Sequence, residues 1–102
     1  MTNQVRGNGV LILNTIKRYF DGDYVNIKIR VATPGMWTTE LYLDDAIEHC
    51  RRNANDVIHF YIQIQGLGRL HVKYDCHNPE RSINRIEDLN KKLNYVRSYW
   101  YE

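Results

Sequence analysis

Apolar side chains recur at every second position in parts of this chain and at helical spacing in others. From Tyr24 to Ala32, Val25, Ile27, Ile29 and Val31 alternate strictly with their neighbours, the period of a strand buried on one face. The same period runs through 57–65 and 69–76, interrupted by Gly66-Leu67-Gly68. This predicts a hairpin in which Ile64 faces Leu70, Ile62 faces Val72, Phe60 faces Tyr74 and Ile58 faces Cys76. Next, Asn78 suits an N-cap, Pro79 the first helical position, and Glu80 the first turn, where the helix dipole favours an acid. Ile83, Ile86, Leu89, Leu93 and Val96 then follow at helical spacing and predict a long helix running to Tyr99.

Other segments are less plainly written. As a helix, 10–20 places Ile12, Leu13, Ile16, Tyr19 and Phe20 on one arc; as a strand it groups Ile12, Ile16 and Phe20 with Asn14 and Arg18. Asp21-Gly22-Asp23 reads as a tight turn into the following strand, which favours strand for at least the second half of 10–20. Residues 1–9 show no periodicity and contain two glycines, the character of a loose N-terminus. Trp37, Thr39, Leu41 and Leu43 alternate and suggest a short strand. Residues 44–54 suggest a short helix with Leu43, Ile47 and Cys50 as its stripe and Asp45 with Glu48 as a capping box.

The order is then strand, strand, helix, twice over. At an offset of 45, Val25 maps to Leu70, Ile27 to Val72, Ile29 to Tyr74, Val31 to Cys76 and Pro34 to Pro79, and these are the only two prolines. The expected fold class is α+β: two tandem ββα units, or a βββα unit followed by a ββα unit, related by a pseudo-two-fold with helices packed on antiparallel sheet. The chain reads as a single domain, with 1–9 flexible, 10–56 the first unit and 57–102 the second. A ββα unit is too small to bury its own apolar faces. Pairing two of them leaves a seam, where sheet edges can accept an added strand.

Composition adds bounds rather than direction. The 102 residues are 43% hydrophobic and 25% charged, ordinary values for a globular domain. The net charge of +2 is too small to argue for a polyanion partner. It is unevenly spread: residues 1–31 carry +3, residues 32–56 carry −3 and the remainder +2. No apolar run approaches the roughly 18 residues that span a bilayer, and 9–13 is too short for a signal-peptide core. The expectation is a soluble intracellular protein with no membrane partner. Cys50 and Cys76 do not make a disulfide framework, and whether they pair is open.

Candidate chemistry is sparse. His49 and Cys50 are adjacent on a helix and point about 100° apart, so with Cys76 and His77 they converge poorly on a metal. A strand would send Cys76 and His77 to opposite faces, which denies a thiol its base. Gly66-Leu67-Gly68 is a turn with no Lys-Ser/Thr after it to bind phosphate. No metal, no cofactor and no enzymatic activity are expected. The outward strand positions hold Asn26, Lys28 and Arg30, with His59, Tyr61, Gln63, His71 and Lys73. That polar surface is either a solvated sheet face or a nucleic-acid contact made by Lys28, Arg30, Tyr61, His71 and Lys73, with Tyr61 stacking a base. Trp37, Tyr95, Tyr99 and Trp100 have the composition of interface anchors.

With its small size, Tyr- and Ile-rich strands and lack of a family motif, the chain resembles the small orphan proteins of filamentous viruses of hyperthermophilic archaea, the lipothrixvirus type. Its ten asparagines depart from thermophile usage. The resemblance implies a place in the host cytoplasm or the virion, where an intracellular disulfide is allowed. The leading functional expectation is a non-enzymatic module that binds a viral or host protein or peptide in the groove between two repeated units. The alternative is a weak nucleic-acid binder using the basic sheet face.

Overall fold

The fold, a computed structural model, describes the backbone of residues 2–20, 22, 26–64 and 66–100, and within those ranges the side chains from 7 to 95. Helix α1 (Thr2–Phe20) is followed by strands β1 (Ile27–Thr33) and β2 (Met36–Trp37), helix α2 (Leu43–Arg52), strands β3 (Val57–Ile64) and β4 (Gly68–Asp75), and helix α3 (Pro79–Trp100). The class is α+β, with one four-stranded antiparallel sheet in the order β2-β1-β3-β4. The helices form a single layer on one face: α2 packs on β1, α3 on β4, and α1 lies between them and touches β3. The other face is left to the strands' own side chains.

The core lies between these two layers. Ile27, Ile29 and Val31 of β1 meet Ile58, Phe60 and Ile62 of β3 and Tyr74 of β4 beneath Ile12, Leu13, Ile16 and Phe20 of α1. Phe20 and Phe60 pack with ring centroids 5.5 Å apart. Leu43, Ala46, Ile47 and Cys50 seal the α2 side, and Ile86 and Leu93 the α3 side.

The segment 10–20 is helix throughout, and the strand reading of its second half is overturned. Packing explains the outcome. Period two cannot bury adjacent Ile12 and Leu13 on one side, whereas the helix brings Ile12, Leu13 and Ile16 to zero exposure. The helix also runs back to Thr2, through the region expected to be loose. Gly7 and Gly9 disfavour an isolated helix, but tertiary contacts hold the segment. Asn8 donates its amide to the Cys76 carbonyl at 2.8 Å. At Gly9 an added Cβ would lie 3.3 Å from Cys50 Sγ, so glycine lets α1 approach α2 closely. With no strand at 10–20, the first expected hairpin does not exist; β1 pairs with β2 and β3 instead. Asp21, Asp23, Tyr24 and Val25 lie outside the described residues.

The two prolines serve different ends. Pro34 and Gly35 occupy the corner of a tight turn that pairs Thr33 with Met36. Gly35 has φ 78°, the positive value a type II turn places after proline. Pro79 opens α3, where Asn78 Oδ1 accepts the Arg81 N–H at 3.3 Å as an N-cap. The 45-residue offset therefore aligns a hairpin corner with a helix start.

The β3–β4 hairpin forms, but two residues out of the expected register: Ile62 faces Leu70, Phe60 faces Val72 and Ile58 faces Tyr74. A shift of two keeps every side chain on its own face, so hydrophobic pattern alone cannot detect it. The turn decides. Leu67 N–H bonds to the Ile64 carbonyl at 3.0 Å and Gly66 takes φ 82°, so the chain reverses one residue earlier than a loop over 66–68 would allow.

Helix α2 lacks the expected capping box. Its N-cap is Tyr42, without a side-chain cap bond. Glu48 reaches forward to Arg51 and Arg52, and Asp44 pairs with Lys17 of α1 at 2.9 Å. The expected strand over 37–43 is also modified. Thr38 N–H bonds to the Val31 carbonyl, but Leu41 exchanges backbone bonds with Ile29, so 38–41 carries one residue more than 29–31. That extra residue is a bulge. It sends Leu41 toward the core while Trp37, opposite Ala32, faces out.

Candidate nucleic-acid interface

The helix-free sheet face is built by register. Arg30, His59 and Lys73 are cross-strand neighbours, and so are Lys28, Tyr61 and His71; Gln63 opposes Arg69. Odd positions on β3 and β4 and even positions on β1 share this face, because successive strand residues point to opposite sides. The sequence-predicted set Lys28, Arg30, Tyr61, His71 and Lys73 is thus brought together on one surface. Asp75, opposite Val57, ends the face and accepts the His77 N–H at 2.8 Å.

The side chains on it touch one another in an unbroken line. The Arg30 guanidinium lies 5.0 Å from the Trp37 ring centre. Trp37 covers His59 with centroids 4.2 Å apart. His59 Nδ1 and His71 Nε2 share a hydrogen bond at 2.9 Å. His71 stacks on Tyr61 at 4.4 Å and 14°, and the Arg69 guanidinium sits 4.1 Å from the Tyr61 centroid. Lys28 extends over the Tyr42 ring at 4.2 Å. Cation-π and stacking contacts of this kind hold long side chains flat on a sheet.

Protonation states follow from these surroundings. His59 is only 2% exposed, and its pKa is lowered from 6.5 to about 4, first by burial and then by the charges of His71, Lys73 and Arg30. His71 is lowered in the same way, by burial, then Lys73 and Arg69. Both imidazoles are therefore neutral at neutral pH, and the positive charge of the face comes from Lys28, Arg30, Arg69 and Lys73. An open pocket of about 220 Å³ lies at one end, lined by Asn26, Lys28, Tyr61, Gln63 and Arg69.

The other predicted anchors do not join this surface as a set. Trp37 does, half-exposed and in contact with His59. Tyr95 is exposed on α3, which packs against the β4 side of the helix layer, whereas β2 forms the opposite edge of the sheet. The side chains of Tyr99 and Trp100 lie outside the described residues. Sequence reasoning missed Arg69 as a face residue and Trp37 as a neighbour of the histidines. Arg69 was recoverable from its odd number on β4. Trp37 was not, because its side depends on the Pro34-Gly35 turn.

Cys50 and Cys76 are free and buried, and burial pushes both thiols up to about 12. No group of three potential metal-ligating residues occurs among the described residues. No helix among them is long and apolar enough to cross a membrane. No family model matches the chain, and neither does any curated protein or solved structure.

Proposed function

We propose that the helix-free sheet face binds single-stranded nucleic acid without catalysis. The observation that carries this reading is the continuous line of Trp37, His59, His71 and Tyr61 rings, flanked by Lys28, Arg30, Arg69 and Lys73. Rings that tolerate any base, beside cations that follow the backbone, are what single-strand binding needs. Trp37 is 51% exposed and serves as the first stacking platform; Arg30 and Lys73 meet the phosphates beside it. Exposed His71 contributes flat neutral surface rather than charge, and buried His59 supports Trp37 from beneath. The buried thiols lack the thiolate that a nucleophile requires. Gel-shift titration of a labelled single strand at low and high salt tests the reading. Binding weakened by salt, by Trp37→Ala and by Lys28→Ala with Lys73→Ala supports it; binding indifferent to all of these removes it.

A second reading rests on the β2 edge, where Met36 is 67% exposed and a groove of about 240 Å³ runs between the β1–β2 hairpin and the end of α2. Here a viral or host protein segment would add to the sheet edge, in the host cytoplasm or the virion, in line with the resemblance drawn from the sequence. The chain order β1-β2-α2 then β3-β4-α3, with β1 and β3 antiparallel at the centre, is the order that two ββα units about a pseudo-two-fold would have. Met36→Asp separates the readings. It abolishes capture of a protein partner from extract in the second and leaves oligonucleotide binding intact in the first.

A further inference from the structure

Building on the nucleic-acid reading, we infer that Glu40 is a built-in phosphate mimic. It holds Arg69 down over Tyr61, at the wall of the adjoining open pocket, until a phosphodiester of the bound strand takes its place.

Topology makes the Glu40–Arg69 pair unusual. Arg69 belongs to β4 at one edge of the sheet, and Glu40 to the segment after β2, at the other edge. Both β1 and β3 lie between them. Their ion pair, 2.6 Å from Nη2 to Oε1, therefore spans the face. On its way the guanidinium passes 4.1 Å from the centre of the Tyr61 ring. The bulge after Trp37 gives this geometry its origin. By turning Leu41 inward it turns Glu40 outward, toward the row of cations.

The contact is suited to exchange. The two side chains are 44% and 41% exposed, so water and salt compete for the pair and its strength is modest. A phosphate offers the arginine fork the same pair of oxygens as a carboxylate. When Arg69 turns to such a phosphate, Tyr61 gains an open face for a base while His71 stays stacked on the ring's other face. Lys28 stands on the β1 side of the pocket to take the neighbouring phosphate. The amides of Asn26 and Gln63, on the same rim, offer a donor and an acceptor each to a base edge. The ligand class is thus a nucleotide unit within a single strand, with its base on Tyr61 and its phosphate on Arg69.

The test is a mutant cycle read by fluorescence anisotropy with a labelled single-stranded oligonucleotide of about 12 nucleotides, prepared both as RNA and as DNA. The proteins are wild type, Glu40→Gln, Arg69→Ala and the double variant. Glu40→Gln is expected to bind about three- to fivefold more tightly, the scale of an exposed ion pair that no longer has to be broken. The gain is expected to vanish in the Arg69→Ala background, because without Arg69 there is nothing for Glu40 to hold. An equal gain with and without Arg69 would mean a general charge effect and would overturn the latch, as would no gain at all. Binding by wild type with a null cycle overturns the latch alone, whereas no binding by any of the four overturns the nucleic-acid reading with it. Urea unfolding of all four proteins shows whether Glu40→Gln or Arg69→Ala acts through stability instead, and a loss of stability that parallels the affinity change also counts against the latch.

Discussion

Acidification should loosen this fold through one buried imidazole. His59 is 2% exposed beneath Trp37 and has a folded-state pKa of about 4, against 6.5 in an unfolded chain. Between those values the unfolded chain holds a proton that the folded one refuses, so stability is complete above 6.5 and declines as the pH falls toward 4. At about 1.4 kcal/mol per pH unit the full loss is about 3 kcal/mol, with about 2.5 kcal/mol spent between pH 7.5 and pH 4.5. Small domains lose about 1–3 kcal/mol per molar urea, so the midpoint should fall by about 0.8–2.5 M over that range. Carboxylates and His71 also titrate, and His59→Gln is the control that isolates the effect. Glutamine keeps a polar partner for His71 but cannot take up the proton. Urea melts of both proteins across the pH range should show the wild type losing about 2.5 kcal/mol more than the variant. Parallel profiles would refute the claim that burial of His59 is what resists protonation.

Other outcomes follow from the same geometry. Phe60→Ala, which empties a fully buried site between Phe20 and Tyr74, should cost about 3–5 kcal/mol in chemical denaturation. Gly7→Ala on α1, where an added Cβ meets nothing within 4 Å, should stabilise by about 0.5–1 kcal/mol, while Gly9→Leu should destabilise by pushing against Cys50. Cys50 and Cys76 should resist a thiol reagent at neutral pH in the native protein and react only on unfolding, as a kinetic trace with and without denaturant would show.

What could be read in advance follows from which interactions are local. The α3 start was legible because Asn78, Pro79 and Glu80 act within one turn, and Ile86 and Leu93 bury as the spacing requires. The stripe of α2 was equally plain, and so was the parity of β1, β3 and β4, which is enough to group Lys28, Arg30, Tyr61, His71 and Lys73 on one face. Registry was not. A two-residue slip changes no side chain's face, so only the geometry at Gly66 fixes how far β4 slides along β3. The helix at 2–20 was hidden because its glycines and its ambiguous apolar arc depend on contacts with Cys50 and Cys76 far along the chain. The side taken by Trp37 and the reach of Glu40 were hidden for a related reason. Both come from the Pro34-Gly35 turn and the single-residue bulge after it, small features that redirect everything downstream.

The measurement closest to the central claim is the salt dependence of oligonucleotide affinity. With Lys28, Arg30 and Lys73, and Arg69 once released, meeting three to four phosphates, a log–log plot of affinity against salt should have a slope of about −2 to −3 for a single strand. Replacing Lys28 and Lys73 together by alanine should make that slope shallower by about 1.4, two phosphates' worth. A flat plot, or a slope the double replacement leaves untouched, would contradict the assignment of this sheet face to nucleic acid.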